Sequence, residues 1–545
     1  MRPSLVASLA IFFLFSCVKE RAPYAGLELA GPGEHCGGMV FCESWLVCRD
    51  GYCEELTPDI DDNGMNGSDP SDPSDLPDPP ELSDSADTPA LPDEEAAPDA
   101  DLSRLCDGSI PVTAATLPYF ISCDTISGDL VIEDTLLDAI EGLKEVRRVD
   151  GSLIIRRNVL LTDLSGLRRL QKVGGSVTVE YNARLTDLGA VSALLTVGNE
   201  LRIKGNGALT RIGLPAIENA FTVWVEHNDQ LADLDLPRLS TVSGTLYLLN
   251  NRTLTSLDGT PSLSAVGRII LQENDALSHI AGTTLPLTYL SHLEVRDNPR
   301  FSSLRGLGTL VTAGTVILDD APLLTSLEGL DMLSQATSLS IERCGIVSLN
   351  QLKRLYQLNG DLILRDNPAL IHLSGPVPLS FIGGALVIHR NPALIDLVGL
   401  PALRSAGAVS LMGNNALNSI AGMASVAMVY GPVEILGNPA LKKATSLISL
   451  RSVNGGLAFM MNDAATEVAF PSLETAGGDI AVSYNPLLAD MTFPALSALD
   501  GDLHVEENPA LPSCQAEELR DRLTEGYGWE GLAVIQGNDP AGACR

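Results

Sequence analysis

The middle of the chain carries nine charged residues whose spacing could support chemistry: Glu294, Arg296, Asp297, Asp319, Asp320, Glu342, Arg343, Arg365 and Asp366. Neighbouring groups are 22 to 24 residues apart. If each interval is one turn of a stack, carboxylates on adjacent turns stand about 5 Å apart. Paired carboxylates at such a separation can cleave a glycosidic bond. The interleaved arginines favour ion-pair ladders on a solvated face. The seven histidines, His35, His227, His279, His292, His372, His389 and His504, make no metal-ligand spacing. No nucleophile elbow, zinc-protease motif or phosphate loop occurs. No metal, no cofactor and no enzymatic activity are expected.

A second kind of chemistry is recognition. Trp224, Tyr247 and Ile270 recur on consecutive intervals, flanked by Glu226, Leu249, Gln272 and His227. Aromatic side chains on a rigid surface are typical interaction anchors. The same residues are also good strand formers that stack along a ladder and only stabilise a sheet. Met412, Leu436, Met460 and Met461 form an apolar cluster that poses the same choice between contact surface and ladder packing.

What must position these groups is a repeat. Leu153-Ile154-Ile155-Arg156-Arg157-Asn158 returns as Val177-Thr178-Val179-Glu180-Tyr181-Asn182 and again at Asn206, Asn228, Asn251, Asn274, Asn298, Asn367, Asn391, Asn414, Asn438, Asn462, Asn485 and Asn508. Thr135, Ala321 and Cys344 hold the asparagine slot in three further coils, which makes 17. Such a period marks a leucine-rich-repeat solenoid, whose coils cannot bury their own apolar faces and must stack. The alternating stretch reads as a short strand, so successive strands build one long parallel sheet. With strands about 4.8 Å apart, seventeen coils span roughly 80 Å.

Each asparagine should turn inward and hydrogen-bond backbone of its own and the next coil. A buried amide left alone would cost roughly 2–7 kcal/mol. Cys344 should replace it only weakly, and Ala321 not at all, with a water or a local distortion there. Asn251-Arg252-Thr253 matches a glycosylation sequon, discounted because Asn251 is in the ladder. The rest of each coil, as in Leu397-Val398-Gly399-Leu400-Pro401-Ala402-Leu403, is too broken for a helix and reads as turns and a second short strand. Gly151, Gly175, Gly244, Gly384, Gly456, Gly478 and Gly501 precede strands and suggest tight corners. The expected fold is all-β, a β-helix-like solenoid of 17 to 18 coils with disulfide-capped ends, preceded by a small Cys-rich module.

The frame Gly360-Asp361-Leu362-Ile363-Leu364-Arg365-Asp366-Asn367-Pro368-Ala369-Leu370 resembles the receptor L-domain repeat, over roughly residues 106 to 545. That family includes the ligand-binding lobes of insulin- and growth-factor-type receptors. The resemblance implies a repeat fold that binds ligands. Receptor L domains have a handful of coils, whereas this array runs unbroken.

Residues 1–16 combine Arg2 with an apolar run, and Leu14-Phe15-Ser16-Cys17 resembles a bacterial lipobox. The resemblance implies lipid on Cys17, a membrane-anchored mature N-terminus over 17–35 and, with Val18 following, the outer membrane or cell surface. An ordinary secretory peptide is the alternative. The run is too short for a transmembrane anchor, which needs about 20 residues. Cys36, Cys42, Cys48 and Cys53 read as a two-disulfide module over 36–53, with zinc the less fitting alternative. From Leu56 to Ser103 there are 15 acids and no Lys or Arg, so 54–103 reads as an extended, solvated stalk. Repeats over 104–512 and a cap over 513–545 follow. Cys106 with Cys123, and Cys514 with Cys544, should close the ends; Gln515 to Leu523 reads as a short helix, and Ala533 to Asn538 as a terminal coil. Cys344 is left as a buried structural thiol.

The whole chain has 545 residues, 4% aromatic, and a net charge of −34. That charge repels phosphate backbones, so nucleic acid is not an expected partner. Three functions compete: a cell-surface recognition or adhesion lipoprotein binding protein or glycan through its sheet face, a structural envelope protein without a specific ligand, and a polysaccharide-active β-helix enzyme.

Overall fold

The computed structural model describes residues 104–374, 378–542 and 544, and the backbone of the short strands Leu29–Ala30, Phe41–Cys42, Leu46–Arg49 and Tyr52–Glu55. The chain divides into two compact units, Met1–Ala96 and Ala97–Arg545. In the first, Leu29–Ala30 pairs in parallel with Phe41–Cys42, and Leu46–Arg49 pairs antiparallel with Tyr52–Glu55. Cys17, the side chains of Cys36, Cys42, Cys48 and Cys53, and stalk residues 56–103 lie outside the described residues.

The second unit is built from one strand repeated. In Leu153–Arg156 the side chains of Leu153 and Ile155 are buried and those of Ile154 and Arg156 half-buried. This alternation follows from the two-residue period of a strand. It is kept because a one-residue slip would turn every leucine into solvent. The strand pairs residue for residue with Val177–Glu180, which pairs with the next, and so on to Leu503–Glu506 and the terminal Ala533–Gln536. All these pairings are parallel. A second row of two-residue strands, such as Arg148–Val149, Lys172–Val173 and Thr196–Val197, stacks beside the first. In mid-array the two rows fuse, as in Thr241–Leu249, with a register shift between Val242 and Thr245. Isolated bridges such as Ala139 to Asp163 and Arg211 to Asp233 mark a third side. Single 3-10 turns such as Ser165–Leu167 and Ala421–Met423 fill the returns. The architecture is therefore the all-β solenoid that the repeat dictates, and the apolar side chains of all its coils form one continuous core. Each fully buried leucine contributes roughly 1.5–3 kcal/mol, but only once its neighbouring coils are in place.

One expectation about the backbone needs correction. None of the corner glycines Gly151, Gly175, Gly244, Gly384, Gly456, Gly478 or Gly501 has a positive φ. A Cβ on Gly175 would stand 3.0 Å from the Gly151 backbone carbon, and one on Gly478 would stand 2.8 Å from the Gly456 nitrogen. The close approach of adjacent coils excludes a side chain there, and no unusual dihedral is involved.

The left-handed backbone occurs instead at the residue just before the ladder position, in every rung. Examples are Arg157 at φ 56°, Tyr181 at 55°, His227 at 56°, Met461 at 56° and Tyr484 at 57°, with glycine at Gly205, Gly413, Gly437 and Gly537. This single left-handed residue ends the strand and rotates the next side chain into the core. No rung places Val, Ile, Thr or Pro at this point, in keeping with the steric cost of that region for β-branched residues. Met461→Gly is expected to stabilise the chain by about 1 kcal/mol and Met461→Val to destabilise it by a similar amount, read as opposite shifts in a denaturation midpoint.

Both ends are closed. Cys106 and Cys123 are disulfide-bonded with their Cα atoms 5.8 Å apart, over the fully buried Phe120. At the other end Cys514 is bonded to Cys544. The helix Ser513–Asp521 begins two residues before its expected start and passes into a wider turn over Arg522–Gly526. Leu519 and Leu523 are buried on the core side. The Trp529 indole nitrogen donates to the Gly501 carbonyl at 3.0 Å, which fastens the cap to the preceding coil.

Candidate recognition face

The outward side chains owe their positions to the asparagine ladder. The Asn206 side-chain oxygen accepts the Asn182 backbone N–H at 3.0 Å and the Asn182 side-chain amide at 3.2 Å. Its own amide donates to the Val179 carbonyl at 2.8 Å and to the Lys204 carbonyl at 3.2 Å. Every ladder asparagine from Asn158 to Asn508 is fully buried. The amide thus serves backbone of its own coil, as expected, and of the preceding coil where the next was expected; it meets the next coil only through the Asn228 side-chain oxygen. Asn251, of the sequon, is fully buried and donates to Val225 and Leu249 carbonyls.

Of the two irregular slots, Cys344 departs from expectation, while Ala321 gives the preceding asparagine, Asn298, no side-chain acceptor, as expected. Cys344 substitutes well: its thiol faces the Leu318 and Glu342 carbonyls at 3.5 and 3.2 Å, and the Ala321 backbone N–H reaches its sulfur. Burial pushes the thiol up to about 12, so it stays protonated and unreactive. Ala321 offers only a methyl group, yet the strands on either side, Leu293 to Val316 to Leu339, keep their register without distortion. Thr135 joins the ladder through its hydroxyl, 2.8 Å from the Asn158 oxygen.

On this scaffold the residues around Trp224 form one contiguous patch. Trp224 is in register with Tyr247, and Tyr247 with Ile270. The Trp224 and Tyr247 rings lie 4.3 Å apart, tilted by 34°. The Arg202 guanidinium sits 5.0 Å from the Trp224 ring centre on the other side and also pairs with Glu180 at 2.7 Å. Glu226 accepts the Trp224 indole N–H at 2.8 Å and the Lys204 ammonium at 3.1 Å, and the His227 Nδ1 lies 3.0 Å from it. Burial raises the Glu226 carboxyl, but the bonds from Trp224 and Lys204 outweigh it and hold the group below its ordinary value. Leu249 lies in register between Glu226 and Gln272, and Gln272 donates to Glu273 at 3.1 Å. Arg202 and Lys204 belong to the patch although their types give no hint of it. The available signal is their slot, one coil upstream of Trp224 and Glu226. Trp224, Tyr247 and Ile270 are half-buried, because each covers its neighbour's edge.

Further along, Met412, Leu436 and Met460 stack in register and are half-buried, whereas Met461 stays exposed. The charged zone between the two apolar regions is an ion-pair ladder. Asp319, 4% exposed, is held by Arg343 at 2.6 Å and by Arg296 at 3.3 Å. Glu294 pairs with Arg296 at 2.9 Å and with His292 at 3.2 Å, and Glu342 faces Arg365 at 3.6 Å. Burial raises the Asp319 carboxyl despite its two arginines. With both neighbours cationic and almost no access, Asp319 is poorly placed to meet a sugar. Among the described residues no cluster of His, Cys, Asp and Glu could hold a metal ion, and no helix is long and apolar enough to cross a membrane.

His389 carries a pH dependence. Its Nε2 lies 2.8 Å from the Ser410 hydroxyl, which donates to Glu434 at 3.0 Å. Burial, followed by Arg365 and Arg390, lowers the imidazole to about 4. Its ordinary value is near 6.5, so below that pH the unfolded chain binds a proton that the folded chain refuses. Stability should therefore be full above about pH 6.5 and fall as pH drops towards about 4, by roughly 1–2 kcal/mol once partial solvent contact is allowed for. His389→Gln should remove that part of a denaturation profile measured across this window.

Comparison with protein families agrees with the repeat over part of the chain. Residues 122–209 match the Receptor L domain family model. None of the curated proteins compared with the chain matches it. Among solved structures, an internalin (InlF) from Listeria monocytogenes is similar at 14% identity, covering 71% of this chain and 88% of that chain, with a TM-score of 0.26. A leucine-rich-repeat protein of Leptospira interrogans is similar at 14% identity, covering 76% and 91%, with a TM-score of 0.23. The functional domain of InlJ from Listeria monocytogenes, which includes a cysteine ladder, is similar at 15% identity, covering 59% and 71%, with a TM-score of 0.22.

Proposed function

We propose that this chain is a lipid-anchored recognition protein of the bacterial cell surface that binds a protein or glycan through its sheet face around Trp224 and Tyr247. The observation that carries the reading is the fixed Arg202, Trp224 and Tyr247 stack, with Glu226 bonded by Trp224 and Lys204. A patch whose rotamers are already locked loses little entropy on binding. The receptor L-domain match over 122–209 supports a ligand-binding repeat. Anchoring at Cys17 rests on the lipobox resemblance of residues 14–17. The second reading, a structural envelope protein, is favoured by the half-burial of the same rings, which suits a ladder that only stabilises its sheet.

The test is a screen of the purified chain on a glycan array and on an array of extracellular proteins, repeated with Trp224→Ala and Tyr247→Ala. A ligand whose affinity falls at least about a hundredfold in either variant, with the solenoid still folded by circular dichroism, supports recognition through this face. No ligand, or ligands indifferent to both substitutions, would leave the structural reading.

A further inference from the structure

Away from the sheet face, the returns of four consecutive coils enclose an open cleft of about 440 Å³. Its residues precede the second short strand of each coil. Arg404, Ala427, Arg451 and Glu474 occupy equivalent places in successive coils: the Ala427 N–H bonds the Arg404 carbonyl at 2.8 Å, the Arg451 N–H bonds the Ala427 carbonyl at 2.9 Å, and the Glu474 N–H bonds the Arg451 carbonyl at 2.8 Å. The two arginines therefore flank one small residue, with their backbones about 9.6 Å apart. The gap above Ala427 is the cleft.

Three features suit an anion. Among the described residues the Arg404 guanidinium has no ion-pair or hydrogen-bond partner. Arg451 has only Glu474, at 3.8 Å, with side chains 72% and 56% exposed, a pair that solvent screens and a ligand can replace. Next to them runs a row of serines. Ser425 and Ser472 each donate to the preceding coil, to Pro401 at 2.8 Å and Ile448 at 2.7 Å, which turns their lone pairs outward. The Ser449 hydroxyl is uncommitted among the described residues. Arg404 and Arg451 thus both line the cleft, and of the two only Arg451 has an acid beside it, on a chain of net charge −34.

We infer that this cleft binds an acidic sugar, its carboxylate or sulfate held between Arg404 and Arg451 and its hydroxyls against the serine row. Guanidinium groups bind such oxyanions through charge-assisted, often bidentate hydrogen bonds. The lining has no aromatic ring on which a nucleobase could stack, which argues against a nucleic acid. The rigid coils keep the two arginines apart, so spacing along the sugar chain selects the ligand.

Isothermal titration of the full chain with trigalacturonic acid, a sulfated oligosaccharide of similar length, neutral maltotriose and inorganic phosphate tests this. One or both acidic sugars should bind, more weakly as salt rises, and maltotriose should not. Arg404→Ala and Arg451→Ala should each weaken binding about tenfold and Ser449→Ala less. All three sites are on the surface, and an unchanged thermal midpoint confirms folding. Trp224→Ala should leave this binding intact, so the result is independent of the sheet-face reading. Binding of phosphate without either acidic sugar, equal binding of maltotriose, or affinity unchanged by the arginine substitutions would overturn the assignment.

Discussion

Asn206→Ala should be among the most damaging single substitutions in the solenoid, lowering stability by about 2–6 kcal/mol. The alanine would leave the Asn182 N–H without an acceptor and deprive the Val179 carbonyl of one of its donors, at a turn sealed from water by the coils on either side. A buried polar group left alone costs about 1–3 kcal/mol, and to the stranded Asn182 N–H are added the weakened Val179 carbonyl, the lost Asn182 side-chain bond and the space left by the missing amide. The effect should be local before it is global, since repeat arrays lose stability coil by coil. Amide hydrogen exchange should therefore speed up around residues 179–206 well before the terminal coils. Uniform loss of protection, or none, would mean that the ladder is not what holds the turns. Ala321 is the natural control: Asn298→Ala should cost less than Asn206→Ala, because the preceding asparagine, Asn274, alone depends on it while its own turn already lacks the next amide.

Gly422→Ala is expected to cost about 3 kcal/mol through overpacking. Gly422 sits inside the 3-10 turn Ala421–Met423, buried, and a Cβ there would fall on the Leu397 carbonyl of the preceding coil. That oxygen cannot retreat, because it also accepts the Leu400 N–H at 3.2 Å. Gly437→Ala makes the contrast. Gly437 has φ 61°, and a Cβ added to it would meet nothing within 4 Å, so its penalty is conformational only, about 1 kcal/mol. Urea midpoints of the two variants should separate steric crowding from backbone preference. Equal shifts would show that coil spacing relaxes more readily than the packing implies.

The periodicity alone fixes much of this architecture, and the reason is geometric. A side chain in a strand alternates faces, so the Leu153 and Ile155 parity carries over to every coil, and with it the adjacency of Trp224, Tyr247 and Ile270. Other features have no signature in single residues. The left-handed turn before each asparagine accepts Arg, Tyr, His, Met, Asp, Glu, Asn or Gly, so its residue types reveal only a prohibition on β-branching. The role of Gly175 is set by Gly151, a coil away, and the ability of Cys344 to replace an amide depends on where Leu318 and Ala321 point. Half-burial of the aromatic rings is hidden for the same reason, since the cover comes from neighbouring rungs. Arg202 and Lys204 escape notice in the sequence because a charged residue on an outer face is ordinarily a solvated one.

The ladder also has a direction. Each amide reaches backward, so a turn gains its final acceptor and donor only when the coil after it has been laid down: Asn485 is completed by Asn508, and Asn508 by Asn538 thirty residues later. A chain emerging amino end first therefore closes like a zipper, with one unfinished tooth always trailing the growing end. The cap over Ser513–Asp521 and its bond from Cys514 to Cys544 act as the stop that keeps the last tooth from reopening.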